Sequence, residues 1–284
     1  MKEKTLYITD LDGTLLGDDS RVSNGSQAML NEAIAAGASF SVATARTPAT
    51  VSSLLAGVRT KLPMVVMTGA TLWDASTGMY EHTNFIPARD VERIIGIYRR
   101  IRFSSFIYTL RDNHLHIYHV GPLSEQEHEF MEQRADSPFK TFHIPADGES
   151  TLPGNLDNVV LFYGIRPTER AFEAHEAVKL ETDCSALCYH DIYGPETAVA
   201  EVFAKESTKS RGVKTLAERT GATRIVAFGD NINDIPMLKS ADLAVAVANC
   251  VDEVRSVADI VIGPNTDDSV ARFILDDINR QNKS

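Results

Sequence analysis

The chain has 284 residues, of which 43% are hydrophobic and 24% charged, a composition typical of a globular protein with one large domain or two smaller ones; we expect two. Its formal net charge of -11 excludes broad long-range attraction to nucleic acid or to an anionic membrane surface, because both are negatively charged. No stretch approaches the ~18 apolar residues of a membrane span, and MKEKT leads straight into an apolar strand without a signal-peptide pattern, so we expect a cytoplasmic protein.

The first eighty or so residues alternate short apolar strands with amphipathic helices. TLYIT, ASFSVAT and MVVM are predicted strands, and SQAMLNEAIAAG and PATVSSLLAGV are predicted helices between them. Gly37 ends the first helix, and Thr47 followed by Pro48 is typical of an N-cap and a first helical position. Strands joined through helices pair in parallel with right-handed crossovers. TLWDASTGMY is a predicted hairpin near the end of this region.

From residue 83 to about residue 190 the pattern changes. PARDVERIIGIYRRI is a predicted helix, SSFIYTL and HLHIYHV form a predicted hairpin around the turn RDN, and SEQEHEFMEQRAD is a predicted polar helix. A second set follows, with NVVLFYGI as a strand, PTERAFEAHEAVKL as a helix and SALCYHDI as a strand. These elements predict an α+β domain with an antiparallel sheet.

After residue 195 the first pattern returns. Helices are predicted over STKSRGVKTLAERTG, NDIPMLKSA and DSVARFILDDINRQ, and strands over RIVAF, LAVAVA and DIVI. The simplest account is an α/β fold in which a parallel-sheet core, residues 1–82 and 191–284, is interrupted by an inserted α+β domain, residues 83–190.

Three predicted strands lead directly into side chains suited to phosphate or metal chemistry. Asp10 follows LYIT, Thr44 follows FSVA and Asp230 follows IVAFG. Because ligands of open parallel sheets bind outside the carboxyl ends of the strands, we expect these segments to converge on one edge. Four carboxylates would then lie close together: Asp10, Asp12, Asp230 and Asp234. Their mutual repulsion would raise their pKa values unless a cation neutralised them. Hard oxygen ligands of this kind suit Mg²⁺, which often shares its shell with a phosphate.

The first acidic pair also has a simpler interpretation. Asp10 and Asp12 could end a strand and open a turn with Gly13, since Asp and Gly favour such positions. The second acidic loop, GDNINDIPML at 229–238, favours the metal interpretation because it too follows an apolar run and has carboxylates where a helix starts. A helix N-terminus also offers free N–H groups to an anion.

Four segments, taken in order, resemble the four motifs of the haloacid dehalogenase superfamily. They are DLDGTL at 10–15, ATAR at 43–46, Lys209 within STKSRGVKTL, and GDNINDIPML at 229–238. Their order and the inserted domain resemble the Cof-type subfamily with a type IIB cap, and the likeness covers nearly the whole chain. The resemblance implies a Rossmann-like parallel-sheet core, an inserted cap domain that determines specificity, and a hydrolase that acts on phosphoric monoesters.

The resemblance also implies roles for individual residues. Asp10 would attack phosphorus and form an aspartyl-phosphate, and Asp12 would protonate the leaving alcohol and then help to activate water. The Mg²⁺ ion would be bound by Asp10, the Asp12 backbone carbonyl, Asp230 and Asp234. The phosphoryl oxygens would be held by Thr44, the Leu11 and Ala45 amides, Arg46, Lys209 and Asn233.

Lys209 is also unusual on its own terms. A lysine at the start of a helix is unfavourable for the helix dipole, so an anionic neighbour would explain its position. Three residues depart from the pattern of the superfamily: Ala45 stands where many relatives have Gly, Thr68 where Asn is frequent, and Ser269 where Gly is common. These departures bear on the substrate more than on catalysis.

The predicted function is a Mg²⁺-dependent phosphatase for small phosphorylated metabolites, with sugar phosphates as the leading class by resemblance. Two alternatives stay open: a phosphosugar mutase of related architecture, and a non-catalytic metabolite-binding protein. The expected partner is a small-molecule phosphate ester, and we expect a monomer or a weak homodimer.

Overall fold

The computed structural model describes residues 4–145, 149–191 and 194–283. The chain divides into two compact units, which we call the core unit (residues 1–82 and 208–284) and the inserted unit (residues 83–207). None of the helices in the described residues is both long enough and apolar enough to span a membrane.

The strands and helices are numbered in chain order. The strands are β1 (Thr5–Thr9), β2 (Ser39–Val42), β3 (Met64–Val66), β4 (Thr71–Asp74), β5 (Met79–Glu81), β6 (Ser105–Arg111), β7 (His114–Val120), β8 (Lys140–Phe142), β9 (Val159–Pro167), β10 (Ser185–Asp191), β11 (Gly194–Phe203), β12 (Arg224–Gly229), β13 (Leu243–Ala246) and β14 (Ile260–Val261). The helices are α1 (Asn24–Ala35), α2 (Pro48–Leu54), α3 (Ala88–Ile101), α4 (Glu125–Glu132), α5 (Thr168–Glu181), α6 (Lys209–Thr220), α7 (Ile235–Ser240), α8 (Asp252–Arg255) and α9 (Ser269–Gln281).

A parallel sheet forms the centre of the core unit, with the strand order β14-β13-β12-β1-β2. Every residue of β1 is buried, as expected for a strand whose two faces are both covered and whose sequence is a continuous apolar run. β1 lies between β12 and β2, with Thr9 opposite both Phe228 and Val42. The predicted α/β fold with a parallel-sheet core is confirmed.

The segment MVVM was expected to be a further parallel strand, and the structure differs. β3 pairs antiparallel with β4, which pairs antiparallel with β5, so the predicted hairpin TLWDASTGMY is present within a separate three-stranded sheet. β3 also makes an isolated parallel bridge to the segment after β2, between Ala43 and Val65. β3 therefore pairs over three residues with β4 of the hairpin, but through only one residue pair with the segment after β2.

Local signals in the sequence fix the helix ends in the core unit. The Ser23 hydroxyl accepts a hydrogen bond from the Ser26 amide at the start of α1, and the Thr208 hydroxyl accepts one from the Arg211 amide at the start of α6. Pro48 occupies the first turn of α2, as predicted. Gly221 ends α6 in the left-handed conformation (φ 65°) that glycine adopts without steric cost.

The inserted unit contains a six-stranded sheet with the order β10-β11-β9-β6-β7-β8. All neighbours pair antiparallel except β7 and β8, which pair in parallel. Buried side chains from α3, α5 and the sheet form one apolar cluster, in which the Tyr98 ring packs against Phe103 and Phe162 at centroid distances of 4.8 and 5.8 Å.

The domain boundary predicted after residue 190 differs from the division in the structure, because β11 was missed. β11 pairs with β10 on one side and β9 on the other, which assigns residues 191–207 to the inserted unit rather than to the core unit. The short strand β8 was also not predicted. Its three residues are too few for a period-two pattern to be recognised.

Candidate active site

The ends of the central strands bring the predicted site residues to one edge of the core sheet. Asp10 follows β1 directly, and its amide donates a 3.0 Å hydrogen bond to the Phe228 carbonyl of β12. Asp230 follows β12 in the same way, and Thr44 comes two residues after β2. Since β12, β1 and β2 are adjacent and parallel, their carboxyl ends meet at the same edge.

Three carboxylates converge there. One oxygen from each of Asp10, Asp230 and Asp234 lies within 4.8 Å of the others. Asp10 is 5% exposed and Asp234 is fully buried, so water solvates their charges poorly. The predicted convergence of segments more than 200 residues apart is therefore present in the structure.

Lys209 supplies a positive charge inside this cluster. Its ammonium nitrogen lies 2.7 Å from Asp10 Oδ1 and 2.7 Å from Asp234 Oδ1, and the residue is 2% exposed. Burial alone would lower the pKa of Lys209, but the Asp10 and Asp234 carboxylates outweigh burial and raise it. The anionic neighbours that explain a lysine at the first position of α6 are thus these two aspartates.

One lysine does not neutralise three acids. Burial raises the pKa of Asp10 above its ordinary value, and repulsion from Asp234 and Asp230 adds to this, while the Lys209 charge partly offsets it. Burial also raises the pKa of Asp230 to about 6, against a hydrogen bond from Thr14 that lowers it. If all three acids are ionised, they carry more negative charge than Lys209 can balance, and a bound cation would relieve this excess.

The two oxygens of Asp234 have different partners. Oδ1 pairs with Lys209, whereas Oδ2 accepts hydrogen bonds from the Asp230 and Asn231 amides at 3.1 and 3.2 Å. Gly229 leaves room for this arrangement, because a Cβ atom there would lie 2.6 Å from the Asp234 Cβ. Asn233, predicted to bind phosphate, lies exposed on the 3₁₀ turn Ile232–Asp234.

Asp12 lies apart from the carboxylate cluster. Its side chain is 53% exposed and forms a two-bond ion pair with Arg46, with Nε 2.7 Å from Oδ2 and Nη2 2.6 Å from Oδ1. Arg46 was predicted to bind phosphate, and in the structure it holds Asp12. The two acids of DLDGTL thus have contrasting surroundings, one buried with Lys209 and one exposed with Arg46, as division of roles between two carboxylates requires.

The turn that follows Asp12 is fixed against Asp230. Gly13 has φ 75°, and a Cβ atom at this position would collide with Asp230 Oδ2. The Thr14 hydroxyl donates a 2.5 Å hydrogen bond to Asp230 Oδ1. Sequence reasoning missed this contact of Thr14, although the residue stands within DLDGTL.

Two asparagines, also missed, tie this turn to the segments that follow β13 and β14. Asn249 Nδ2 donates to the Gly13 carbonyl at 2.8 Å, and Asn265 Nδ2 donates to the Leu16 carbonyl at 2.7 Å. The Asn265 amide donates in turn to Asn249 Oδ1 at 3.0 Å. We call Asn249 and Asn265 the asparagine clamp. The clamp restrains the turn that carries Asp12 at two points on the C-terminal side of Asp12.

The remaining predicted phosphate ligands lie on the same edge. Thr44 is buried, and its hydroxyl accepts a 3.1 Å hydrogen bond from the Arg46 amide, which leaves the hydroxyl proton available to a ligand. Leu11 follows Asp10 at the start of the turn, and Ala45 follows Thr44. Their amides therefore belong to the two loops that flank Asp10.

The donor set fits a hard divalent cation. Carboxylate oxygens are the ligands that Mg²⁺ prefers, and the Asp10, Asp230 and Asp234 oxygens are already close together. Burial raises the pKa values of Asp10 and Asp230, and repulsion between the carboxylates adds to this rise, so a bound cation would favour their ionised forms.

Comparison with known proteins gives consistent matches. A model of the haloacid dehalogenase-like hydrolase family matches residues 7–274. The chain is 25% identical over 276 residues to a 5-amino-6-(5-phospho-D-ribitylamino)uracil phosphatase of Bacillus subtilis, covering 95% of this chain and 94% of the relative. It is 26% identical over 272 residues to a phosphoglycolate phosphatase of Methanopyrus kandleri, covering 95% of each.

A solved structure of a sugar phosphatase from subclass IIB of the haloacid dehalogenase superfamily has the same fold. The TM-score is 0.69 at 20% sequence identity, and the match covers 95% of this chain and 97% of the other.

Proposed function

The chain belongs to the haloacid dehalogenase-like hydrolase family, and from this we propose that it is a Mg²⁺-dependent phosphatase of small phosphorylated metabolites that works through an aspartyl-phosphate on Asp10. Sugar phosphates are the leading substrate class, because the relatives named above act on small phosphate esters and one of them on a phosphorylated ribityl compound. We further propose that the protein is located in the cytoplasm and is a monomer or a weak homodimer.

The observation that carries the proposal is the environment of Asp10. The buried carboxylate lies at the carboxyl end of β1, with one oxygen held by Lys209 at 2.7 Å. The lysine contact orients the side chain and leaves the second oxygen to act as a nucleophile. A structural aspartate would not require a buried lysine and two further acids at the same sheet edge.

The reaction proceeds in two displacements. An Asp10 oxygen attacks phosphorus, the bond from phosphorus to the ester oxygen breaks, and Asp12 gives its proton to the departing alcohol. A water molecule then attacks the phosphorus of the aspartyl-phosphate and gives a proton to Asp12, which releases inorganic phosphate and restores Asp10. The exposed position of Asp12 keeps it accessible for these proton transfers.

The remaining groups bind and neutralise the phosphoryl group. Mg²⁺ would be held by Asp10, Asp230, Asp234 and the Asp12 carbonyl. When bound, the ion neutralises charge on the phosphoryl oxygens. Lys209 would add a second positive charge, and the Thr44 hydroxyl and the Leu11 and Ala45 amides would donate hydrogen bonds. The half-buried Arg46 and the exposed Asn233 would contact the phosphoryl group once a substrate enters.

Replacement of Asp10 by Asn tests the nucleophile. Asn has nearly the same shape but cannot form the acyl-phosphate, so turnover of p-nitrophenyl phosphate with Mg²⁺ should fall to background while the melting temperature changes little. Chelation of the metal by EDTA should abolish the wild-type activity. Retained turnover in the Asp10 variant would reject the assignment.

The product of the reaction separates the alternatives. Incubation with hexose phosphates should release inorganic phosphate; formation of a sugar-phosphate isomer without release would instead indicate a mutase. A wild-type protein inert towards a broad panel of phosphate esters with Mg²⁺ would indicate a metabolite-binding protein.

A further inference from the structure

Three consecutive residues after β3 have a left-handed backbone. The φ angles of Met67, Thr68 and Gly69 are 52°, 57° and 85°. Glycine adopts this conformation freely, but a β-branched residue such as threonine rarely does, because its side chain crowds the backbone. Strained residues of this kind persist only where their surroundings hold them, and they concentrate at ligand sites.

The surroundings that hold this segment are the two neighbouring loops of the candidate site. The Met67 amide donates to the Arg46 carbonyl and the Thr68 amide to the Thr44 carbonyl, each at 3.0 Å. Gly69 packs so closely on the Thr208 carbonyl that a Cβ atom there would collide with it. Thr68 is thereby fixed between the loop of Thr44 and the residue that precedes Lys209.

The Thr68 hydroxyl makes no hydrogen bond that would stabilise the described part of the fold. The residue is 6% exposed, and its Oγ1 atom has no hydrogen-bond partner within the described part of the chain. Burial of an unpaired hydroxyl is costly, and a valine of the same shape would fill this space without that cost. Both the backbone conformation and the hydroxyl therefore work against stability.

We infer that the Thr68 hydroxyl is a substrate-binding group that donates a hydrogen bond to a phosphoryl oxygen of the bound ester. Its position between two groups of proposed phosphoryl ligands indicates this partner, and the bound ester would pair the hydroxyl that the protein leaves unpaired. The inference rests on the proposed function for the identity of the ligand.

Thr68→Val tests the inference because valine keeps the branching at Cβ and removes only the hydroxyl. Loss of a hydrogen bond to a charged group should lower kcat/KM for a phosphate ester by about 10- to 100-fold. The melting temperature should stay the same or rise, since the Thr68 hydroxyl has no hydrogen-bond partner among the residues that the structure describes. Thr68→Ser, which keeps the hydroxyl, should retain most of the activity.

Thr71→Val is the matched control. Thr71 is also buried and lies three residues further on, but its hydroxyl donates to the Glu81 carbonyl at 3.1 Å. Its replacement should lower the melting temperature and leave kcat/KM of the folded enzyme unchanged. The two valine variants should thus have opposite effects on stability and on activity.

Binding of inorganic phosphate gives a readout that does not depend on turnover. In the presence of Mg²⁺, phosphate should raise the melting temperature of the wild-type protein and raise that of the Thr68→Val variant much less. A wild-type protein that hydrolyses no ester but shows this difference would reject the proposed function and support the role of Thr68. Equal phosphate stabilisation of the two proteins, including none in either, would overturn the inference, as would an unchanged kcat/KM in an active enzyme.

Discussion

The Asp12 carboxylate and the Arg46 guanidinium form a two-bond ion pair, with N···O distances of 2.7 and 2.6 Å. Both side chains are partly exposed, so the pair contributes little to the stability of the fold. Its effect is on orientation, because a two-bond pair fixes the plane of the carboxylate more closely than a single contact would.

This orientation matters if Asp12 transfers a proton to the leaving alcohol. Asp12→Asn keeps the shape of the side chain but has no transferable proton. The loss in kcat should be large for alkyl phosphates, about 10²- to 10⁴-fold, and much smaller for p-nitrophenyl phosphate, whose leaving group needs no proton. Steady-state kinetics with both substrates measure the difference, and an equal loss with both would exclude the proton-transfer role.

Lys209 should matter for stability as well as for catalysis. Lys209→Met leaves the Asp10 and Asp234 carboxylates buried without their counter-ion, which should lower the free energy of unfolding by roughly 3–5 kcal/mol in the presence of EDTA. The double variant Lys209→Met/Asp10→Asn, which removes one of the uncompensated charges, should recover part of the loss. Urea denaturation measures both.

Lys214→Met, at an exposed position of the same helix, is the control for that experiment and should change the free energy of unfolding little. A double variant less stable than the single one would contradict the charge explanation.

The asparagine clamp should act on the rate rather than on substrate binding. Asn249→Ala removes the hydrogen bond to the Gly13 carbonyl and the acceptor for the Asn265 amide, so the turn that carries Asp12 loses its restraint. We expect kcat to fall about tenfold with little change in KM, since a small misplacement of a catalytic group is costly.

A surface asparagine outside the site provides the comparison. Asn282 donates a 3.0 Å hydrogen bond to the Ala36 carbonyl, and Asn282→Ala should leave kcat unchanged. The clamp would have no catalytic role if both alanine variants kept the wild-type kcat.

Glu201 should make the stability of the inserted unit depend on pH. Burial raises its pKa to about 7, and a hydrogen bond from Tyr189 only partly opposes this. Because the folded pKa lies above the unfolded one, the stabilising effect of the proton is complete below about pH 4.5 and is lost as pH rises towards 7.

Glu201→Gln stays neutral at every pH, so its stability should not fall in this way. The variant should be more stable than the wild type at pH 8, by up to about 3 kcal/mol, and the difference should shrink towards pH 5. Thermal unfolding at the two pH values measures it, and a gap that widens on acidification would contradict the raised pKa.

Sequence patterns predicted the five strands of the core sheet and the edge where its loops meet, although MVVM was wrongly added to the parallel strands. Strands such as LYIT and IVAF are continuous apolar runs, and the carboxyl ends of parallel strands necessarily share an edge, so Asp10 and Asp230 could be expected to lie together. The position of Lys209 at the start of a helix was a further signal, because an unfavourable charge there requires a partner.

Other features depend on information that a linear pattern does not contain. β11 was missed because it starts with Gly194 and Pro195 and contains two glutamates, which obscure a strand pattern, and the domain boundary was displaced with it. The pairing of Asp12 with Arg46 depends on two side-chain conformations, and the hydrogen bond from Asn249 to Gly13 joins residues 236 positions apart. The left-handed conformation of Thr68 could not be foreseen either, because the sequence offers threonine where glycine or asparagine would be expected.

The position of β1 between β2 and β12 has a consequence for biosynthesis. Its second neighbour is more than 200 residues away, so during translation one long side of this apolar strand has no partner until the segment from Arg224 to Gly229 has left the ribosome. Such an unpaired edge is a template for aggregation. We expect nascent chains released before that point to associate with one another or with chaperones. Such chains should neither bind nor hydrolyse phosphate esters.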